Sequence, residues 1–600
     1  MAAAGALVYT TGVIRHELTI VSVLLLILAV VYAGPVFTPL DAVESAEPLK
    51  DFDWLKIAAF EHYARANLLE HASLPLWGSY FGGGYPLAAH PEFNGFSPLF
   101  LPSLVFGEVV GMKIQLVLVL WLGALGIYLV ARRTLRLRPE GAATAAVGLL
   151  AAGWMAWRVH YGWPMHFGYY LFPWAFYFTW KAVTDRRWIV AAAAVMVVVL
   201  QQIAQGLPLF FLFLLLWAVA EDAAEKRLRR VGLVVALAAL TALLGAFKVA
   251  GLLHLLQFNP RSVPYELYMP LDHFYTGLYQ WLRFTVTEAD VYYKNIGVGP
   301  WLFGLAVVGA VVEFRRLWPL LVPTAVLVWI GLGPNAPLDV FALLHRLPVF
   351  DAMHWPMKYT NFFVAFVLVL LAAGAVHHAA ERAPVRLRWA VLAVVLVPLA
   401  PMMWAHMQLL DRSFTKPLDV GEPAPHFRQV AAFAGAPRGG ARPEAANLYR
   451  LMLQNEGTID WDGDILLPEH ASPAFWIQDN NTRRANPDYR GEAYLAGAGQ
   501  MFSLAWQGDG WEVSGLAAEP TRVVINQNYA PGWRAPAESY QGLISAEVPA
   551  GPFRVEFTYR PLWWRIGLLV SALSWLAVLA WLGWTWRRAR ASAAPGVGRA

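Results

Sequence analysis

Val109-Val-Gly-Met-Lys-Ile-Gln-Leu-Val-Leu-Val-Leu-Trp-Leu-Gly-Ala-Leu-Gly-Ile-Tyr-Leu-Val-Ala131, followed at once by Arg132-Arg-Thr-Leu-Arg-Leu-Arg138, decides the fold class. The first part is an apolar run of bilayer-spanning length, about 20 residues. The second is an arginine cluster of the kind that stays on the cytoplasmic side of a membrane. The pattern recurs along the chain. Runs that read as spans fall near 17–36, 109–131, 141–157, 167–181, 188–203, 207–220, 231–257, 298–313, 317–333, 359–380, 389–405 and 563–586, about twelve in all. With the amino terminus inside, the cytoplasmic connectors hold 21 Lys and Arg in 68 residues. The outer connectors before residue 359 hold 9 in 152. That asymmetry puts both termini in the cytoplasm.

Composition agrees. The 600 residues are 58% hydrophobic and 14% charged, with mean hydropathy +0.45, whereas soluble domains carry roughly 25% charged residues. The net charge of +5 follows from the sidedness of the connectors and gives no reason to expect a nucleic-acid partner. Zero cysteines exclude thiol nucleophiles, disulfides, Cys-ligated zinc and iron–sulfur clusters. The first span resembles a signal peptide at Val31-Tyr32-Ala33, but its apolar run exceeds a signal core.

Two stretches depart from spans and short connectors, and both fall outside. Residues 37–108 form a long first outer loop. In its segment Asp53–Leu69, Trp54, Ile57, Ala58 and Phe60 share a face, which predicts a helix lying along the interface. Residues 406–562 form a domain rich in Pro, Gly, Asn and Trp. Its distal part (Thr521-Arg-Val-Val-Ile-Asn, Gly542-Leu-Ile-Ser-Ala-Glu-Val, Phe553-Arg-Val-Glu-Phe-Thr-Tyr) carries strand signals between Pro/Gly breaks. The expected organisation is a polytopic α-helical membrane body over 1–405, a mainly β extracytoplasmic domain over 406–562, and a last helix with a basic tail over 563–600. No GxxxxGK[ST], HExxH, GxSxG or paired CxxC occurs, and Gly82-Gly83-Gly84 lacks the Lys-Ser/Thr of a phosphate loop, so it reads as a turn.

The first outer loop runs through Asp51-Phe-Asp53-Trp, Leu74-Pro-Leu-Trp77, Gly82-Gly-Gly84 and Phe96-Ser-Pro98. This succession resembles the opening of the GT-C superfamily of polytopic glycosyltransferases, and most closely its YfhO-like bacterial branch. Further matches follow in order. Glu288-Ala-Asp-Val-Tyr-Tyr-Lys-Asn-Ile-Gly297 is similar to an acidic, aromatic and Ile-Gly signature. Pro348-Val-Phe-Asp-Ala-Met-His354-Trp-Pro-Met-Lys358 resembles an Arg-x-Pro-x-Arg motif, with His and Lys replacing both arginines. Asn528-Tyr-Ala-Pro531-Gly-Trp533 and Tyr559-Arg-Pro561 resemble the pair that closes the family's outer domain.

The resemblance implies a bacterial cytoplasmic-membrane enzyme that moves a sugar from a polyprenyl-phosphate donor to an envelope glycan or lipid acceptor on the outer face, among membrane lipids. That chemistry needs a carboxylate to take the acceptor proton and cations to receive the leaving phosphate. The matching Asp-Trp makes Asp53 the expected general base, with Asp51 second; the competing reading is a first-turn acid capping the helix. Lys248 lies within a span, where a lysine faces a cavity or a partner; it reads either as a grip on the carrier phosphate or as a satisfied or snorkelling amine. His354 and Lys358 stand where the family has its two basic residues, for phosphate binding or interfacial anchoring, and a lysine lacks the planar fork of arginine. His166 is a candidate substrate contact, while its separation from His160 does not suit a metal pair. Glu288 reads as a partner of sugar hydroxyls or of Lys294, and His254 as packing. Trp506, Trp511, Trp533 and Tyr540 either stack on sugars or fill a core. No cofactor is expected, with a divalent metal left open. A carrier transporter or flippase, and a non-catalytic envelope-assembly scaffold, are the alternatives.

Overall fold

The computed structural model describes residues 2–45, 53–258, 297–348, 350–353, 356–432, 447–460, 470–478, 481–534 and 536–593. Asp51, Glu288, Lys294 and His354 lie outside these residues. Each of the twelve apolar runs falls on helix. Helix length separates them, however. Seven helical segments are long and apolar enough to cross a membrane: His16–Phe37, Glu108–Thr134, Pro139–His160, Phe314–Asn335, Pro356–Arg382, Val385–Asp411 and Leu562–Arg588. The pair Ala224–Leu244 and Ala246–Gln257 makes an eighth only if its two halves count as one span, because they meet at 84°. Trp188–Gln202, Ala204–Val219 and Gly299–Val312 are apolar but shorter. The chain is therefore a polytopic helical membrane protein, and the count of about twelve crossings is not reached by helix length among the described residues.

The bend corrects the expectation of one straight span over 231–257. It falls at Gly245, where an added Cβ would lie 2.8 Å from Leu200 Cδ2, so glycine lets the corner press against the helix Trp188–Gln202. Small residues also build the centre. Pro356–Arg382 is buried along most of its length and packs against Gly299–Val312, Pro139–Ala151 and Phe314–Leu332. A Cβ on Gly309 would sit 1.8 Å from Leu371 O, so only glycine allows this approach of two backbones. Phe172, Phe210, Phe213 and Phe363 fill the adjoining space, with ring centroids 4.9–5.4 Å apart.

The helix Asp53–Glu70 does form, but protein covers its first turns on every side rather than on one apolar face. Trp54, Leu55, Lys56, Ile57, Ala58, Ala59, Phe60 and Glu61 are all buried, because the β-rich domain roofs it through the short helix Leu448–Leu453. Tyr449 Oη donates to Glu108, which also bonds His62 Nδ1 at 2.9 Å.

The first loop is stitched into the β-rich domain. Gly82, Gly83 and Gly84 have φ of +58°, +67° and +103°, the left-handed turn that glycine takes without strain. From this turn Gly83 N donates to Thr458 O (3.2 Å) and Gly83 O accepts from Asn528 N (2.6 Å). Trp77, Trp533 and Tyr559, far apart in sequence, meet with ring centroids 4.8–5.2 Å apart. Trp511 and Trp533 are thus core residues rather than sugar platforms.

The domain itself holds an antiparallel sheet in the order Glu538–Tyr540, Leu543–Val548, Thr521–Asn528, Ala493–Leu495. A second runs Gly551–Thr558, Gly510–Ala517, Gly499–Trp506. Three of these seven, Thr521–Asn528, Leu543–Val548 and Gly551–Thr558, are the strands expected from the sequence; the other four were not. A third, mixed sheet (Glu456–Thr458, Arg428–Ala432, Phe475–Ile477, Arg483–Ala485) has two parallel pairings that short runs of three to five residues did not announce.

Candidate active site

Asp53 opens its helix, where an acid suits the positive end of the helix dipole. Its Oδ1 accepts from Lys56 Nζ at 2.7 Å, and the same ammonium reaches Glu92 Oε2 at 2.9 Å. Lys56 is buried and Asp53 keeps a wet edge, with side-chain exposures of 7% and 27%. The arrangement fixes a carboxylate at the rim of the bundle while compensating its charge.

Glu92 belongs to a turn that Lys248 holds from the other side. Beyond the bend at Gly245, the buried Lys248 Nζ donates to His90 O (2.5 Å) and Phe93 O (3.0 Å). Its geometry is that of a clamp on the loop between it and Lys56. Asp53 and Lys248, singled out for separate reasons, thus act on one loop.

Trp54 leads in another direction. Its ring lies 6.2 Å from Phe167 and 4.6 Å from Phe414, centroid to centroid. Phe167 sits on the 3-10 turn Pro164–Leu171, next to His166. His166 is buried among Trp154, Trp163, Tyr169 and Tyr359, and neither ring nitrogen has a hydrogen-bond partner among the described residues. Beside it Arg158, 1% exposed, has its guanidinium carbon 4.9 Å from the ring centroids of both Trp154 and Trp163. Its Nη2 donates to Lys358 O at 3.1 Å, while Nε and Nη1 lack partners and no carboxylate pairs with it among the described residues. Lys358 Nζ stands 3.9 Å over the Trp163 ring. Two cations and a histidine therefore share one aromatic nest at the end of the spans Pro139–His160 and Pro356–Arg382.

Of the predicted residues, Asp53 and Lys248 converge on the Glu92 loop, and Lys358 and His166 on the Arg158 nest. His160 turns elsewhere, bonding Ser413 Oγ through Nδ1 at 3.2 Å, and His254 stacks on Trp563. No group of three or more His, Asp or Glu could hold a metal among the described residues. Sequence reasoning passed over Lys56, Glu92 and Arg158. Only Arg158 left a signal there, as a charged residue at the end of a predicted span.

The same helix carries a second, hidden acid. Glu61 accepts hydrogen bonds from Asn94 Nδ2 (2.6 Å), Gln115 Nε2 (2.9 Å) and Ser103 Oγ. Burial pushes its carboxyl up to about 7, against the lowering effect of those donors.

Neither a protein-family model nor a curated protein sequence matches this chain. Among solved structures its fold is similar to the arabinofuranosyltransferase AftD from Mycobacteria, at TM-score 0.47 and 17% identity over 74% of this chain. The chain spans about a third of that protein, 31% of its length. An oligosaccharyltransferase from Archaeoglobus fulgidus matches at TM-score 0.39 and 11% identity, over 74% of this chain and 62% of that one. ArnT from Cupriavidus metallidurans, bound to undecaprenyl phosphate, matches at TM-score 0.28 and 16% identity, over 60% and 78%. At TM-scores below 0.5 these likenesses transfer no residue and no reaction to the chain.

Proposed function

We propose that this protein is a glycosyltransferase of the GT-C type, which moves a sugar from a polyprenyl-phosphate carrier to an envelope glycan or lipid at the outer face of a bacterial cytoplasmic membrane. The observation that carries the proposal is Arg158, buried between two tryptophans beside Lys358 and with no carboxylate partner among the described residues. A buried charge without a partner is costly, and an anionic phosphate supplies the missing partner. An arginine also offers that group a planar fork of donors.

In the reaction the acceptor hydroxyl oxygen forms a bond to the anomeric carbon as the bond from that carbon to the carrier phosphate breaks. Asp53 takes the hydroxyl proton. The carrier phosphate leaves with the bonding pair, and Arg158 and Lys358 receive its charge. Lys56 keeps Asp53 fixed, and Lys248, by clamping the 90–93 loop, keeps Glu92 beside Lys56. His166 lies at the nest as a donor to the phosphate or the sugar. His354 and Glu288 remain assigned from the motif alone.

The test is direct. Purified protein receives a panel of radiolabelled polyprenyl-phosphate sugars, with and without chelator, and donor consumption is followed. One donor is consumed by the wild type; no consumption of any donor in the presence of acceptor glycans contradicts the proposal. A transporter would move labelled carrier across a vesicle membrane without releasing its sugar.

A further inference from the structure

Pro520, Thr521, Arg522, Tyr540 and Glu547 surround an open cleft of about 650 Å³ on the β-rich domain, lined by neither Asp53 nor Arg158. A space of this size suits a ligand of several rings. Its parts come from different places in the chain. Thr521 and Arg522 begin one strand, and Glu547 lies opposite Arg522 on the neighbouring one. Tyr540 arrives from the sheet edge.

The aromatic ring is held in place. Tyr540 packs against the buried cluster of Val524 and Leu543, which leaves it half-buried with part of its surface in the cleft. Above it stands the Arg522 guanidinium, 5.8 Å from the ring centroid. That guanidinium is bound by Glu538 at 3.2 Å and Glu547 at 2.8 Å. Both carboxylates are largely exposed, 58% and 73%, and ion pairs in that setting add little to stability. Gly497 completes the rim with bare backbone: its N donates to Thr521 Oγ1, and a Cβ there would fall 2.8 Å from that oxygen. Glu519 lies close by.

This set of groups has a chemical preference. The part of the Tyr540 ring that faces the cleft beside the guanidinium takes the C–H face of a sugar ring. Guanidinium and carboxylates together supply both the donors and the acceptors that neighbouring hydroxyls require. Arg522 and Glu547 line the cleft while Glu538 and Glu519 stand beside it, so carboxylates outnumber the guanidinium around it, which disfavours phosphate-bearing polymers.

We propose that this cleft binds an uncharged saccharide chain, with Tyr540 as the platform and Arg522, Glu538 and Glu547 as hydroxyl partners. The site is independent of the transfer reaction and stands whether or not Asp53 is a base.

The experiment uses the full-length protein in lipid nanodiscs, titrated with short uncharged hexose and pentose oligomers and, separately, with a phosphate-bearing polymer, read by saturation-transfer NMR. At least one uncharged oligomer binds. Tyr540→Ala and Arg522→Ala each weaken it by about tenfold or more, while Tyr540→Phe, which keeps the ring, retains binding. Phe502→Ala, exposed on the other antiparallel sheet, changes nothing. Should Tyr540→Ala not fold, Arg522→Ala decides. No binding of any uncharged oligomer, preference for the phosphate polymer, or wild-type affinity in Arg522→Ala overturns the proposal.

Discussion

The rim around Asp53 and the nest around Arg158 hold charge in opposite ways. At the rim each charge has a counter-charge: Asp53 to Lys56, and Lys56 to Glu92. In the nest Arg158 and Lys358 sit on aromatic faces, and Arg158 has no carboxylate among the described residues. A compensated group is held in position before any substrate arrives. A buried cation with no carboxylate among the described residues gains its counter-charge when an anion binds. The pairing therefore separates a part that performs a proton transfer from a part that binds a charged leaving group.

The largest effect is expected at the rim. Asp53→Asn keeps the shape of the side chain and removes the base, so transfer falls by about 10²–10⁴-fold with carrier affinity unchanged. A parallel loss of carrier binding would merge the two regions into one and break the distinction.

The nest is tested by Arg158→Met, which keeps volume and removes charge. Carrier affinity drops by about 10–100-fold, the scale of one or two charge-assisted hydrogen bonds. The apo fold becomes no less stable, because the buried charge removed has no carboxylate partner among the described residues. If Arg158 were instead a structural cation, the same variant would melt earlier and bind the carrier as before.

A smaller effect sharpens the rim from within. The folded-state value of Glu61 is raised from 4.5 to about 7. The fold thus favours the protonated form, and this contribution is complete below about pH 4.5 and lost as pH rises to about 7. Glu61→Gln raises stability by about 1–3 kcal/mol at neutral pH and flattens the pH dependence of melting between those limits. A destabilised Gln variant at pH 7.5 would show that the ionised carboxylate is needed.

How much of this was legible in the sequence follows from the range of each signal. Hydropathy acts over twenty residues, so every apolar run landed on helix, and alternating or apolar runs between Pro/Gly breaks marked the strands Thr521–Asn528, Leu543–Val548 and Gly551–Thr558. The corner at Gly245 escaped because a glycine in an apolar run looks the same whether the helix passes through or turns. The helix Asp53–Glu70 was predicted on its face pattern, but its roofing depends on the distant helix Leu448–Leu453, whose Tyr449 meets His62. Motif order was informative in an unexpected way: Trp77, Trp533 and Tyr559 form a structural pin. Asp53, Lys358 and His166 were visible as motif or loop residues. Glu92 was not, since nothing in its neighbours reveals that Lys56 and Lys248 flank its turn, and Arg158 passed for one more basic residue beside a span.

One comparison of variants bears most directly on the division of labour. Native mass spectrometry of wild type, Asp53→Asn and Arg158→Met, each loaded with the same polyprenyl phosphate in nanodiscs, reads carrier occupancy apart from turnover. Asp53→Asn keeps wild-type occupancy and Arg158→Met shows a marked loss. Equal occupancy in all three would contradict that division.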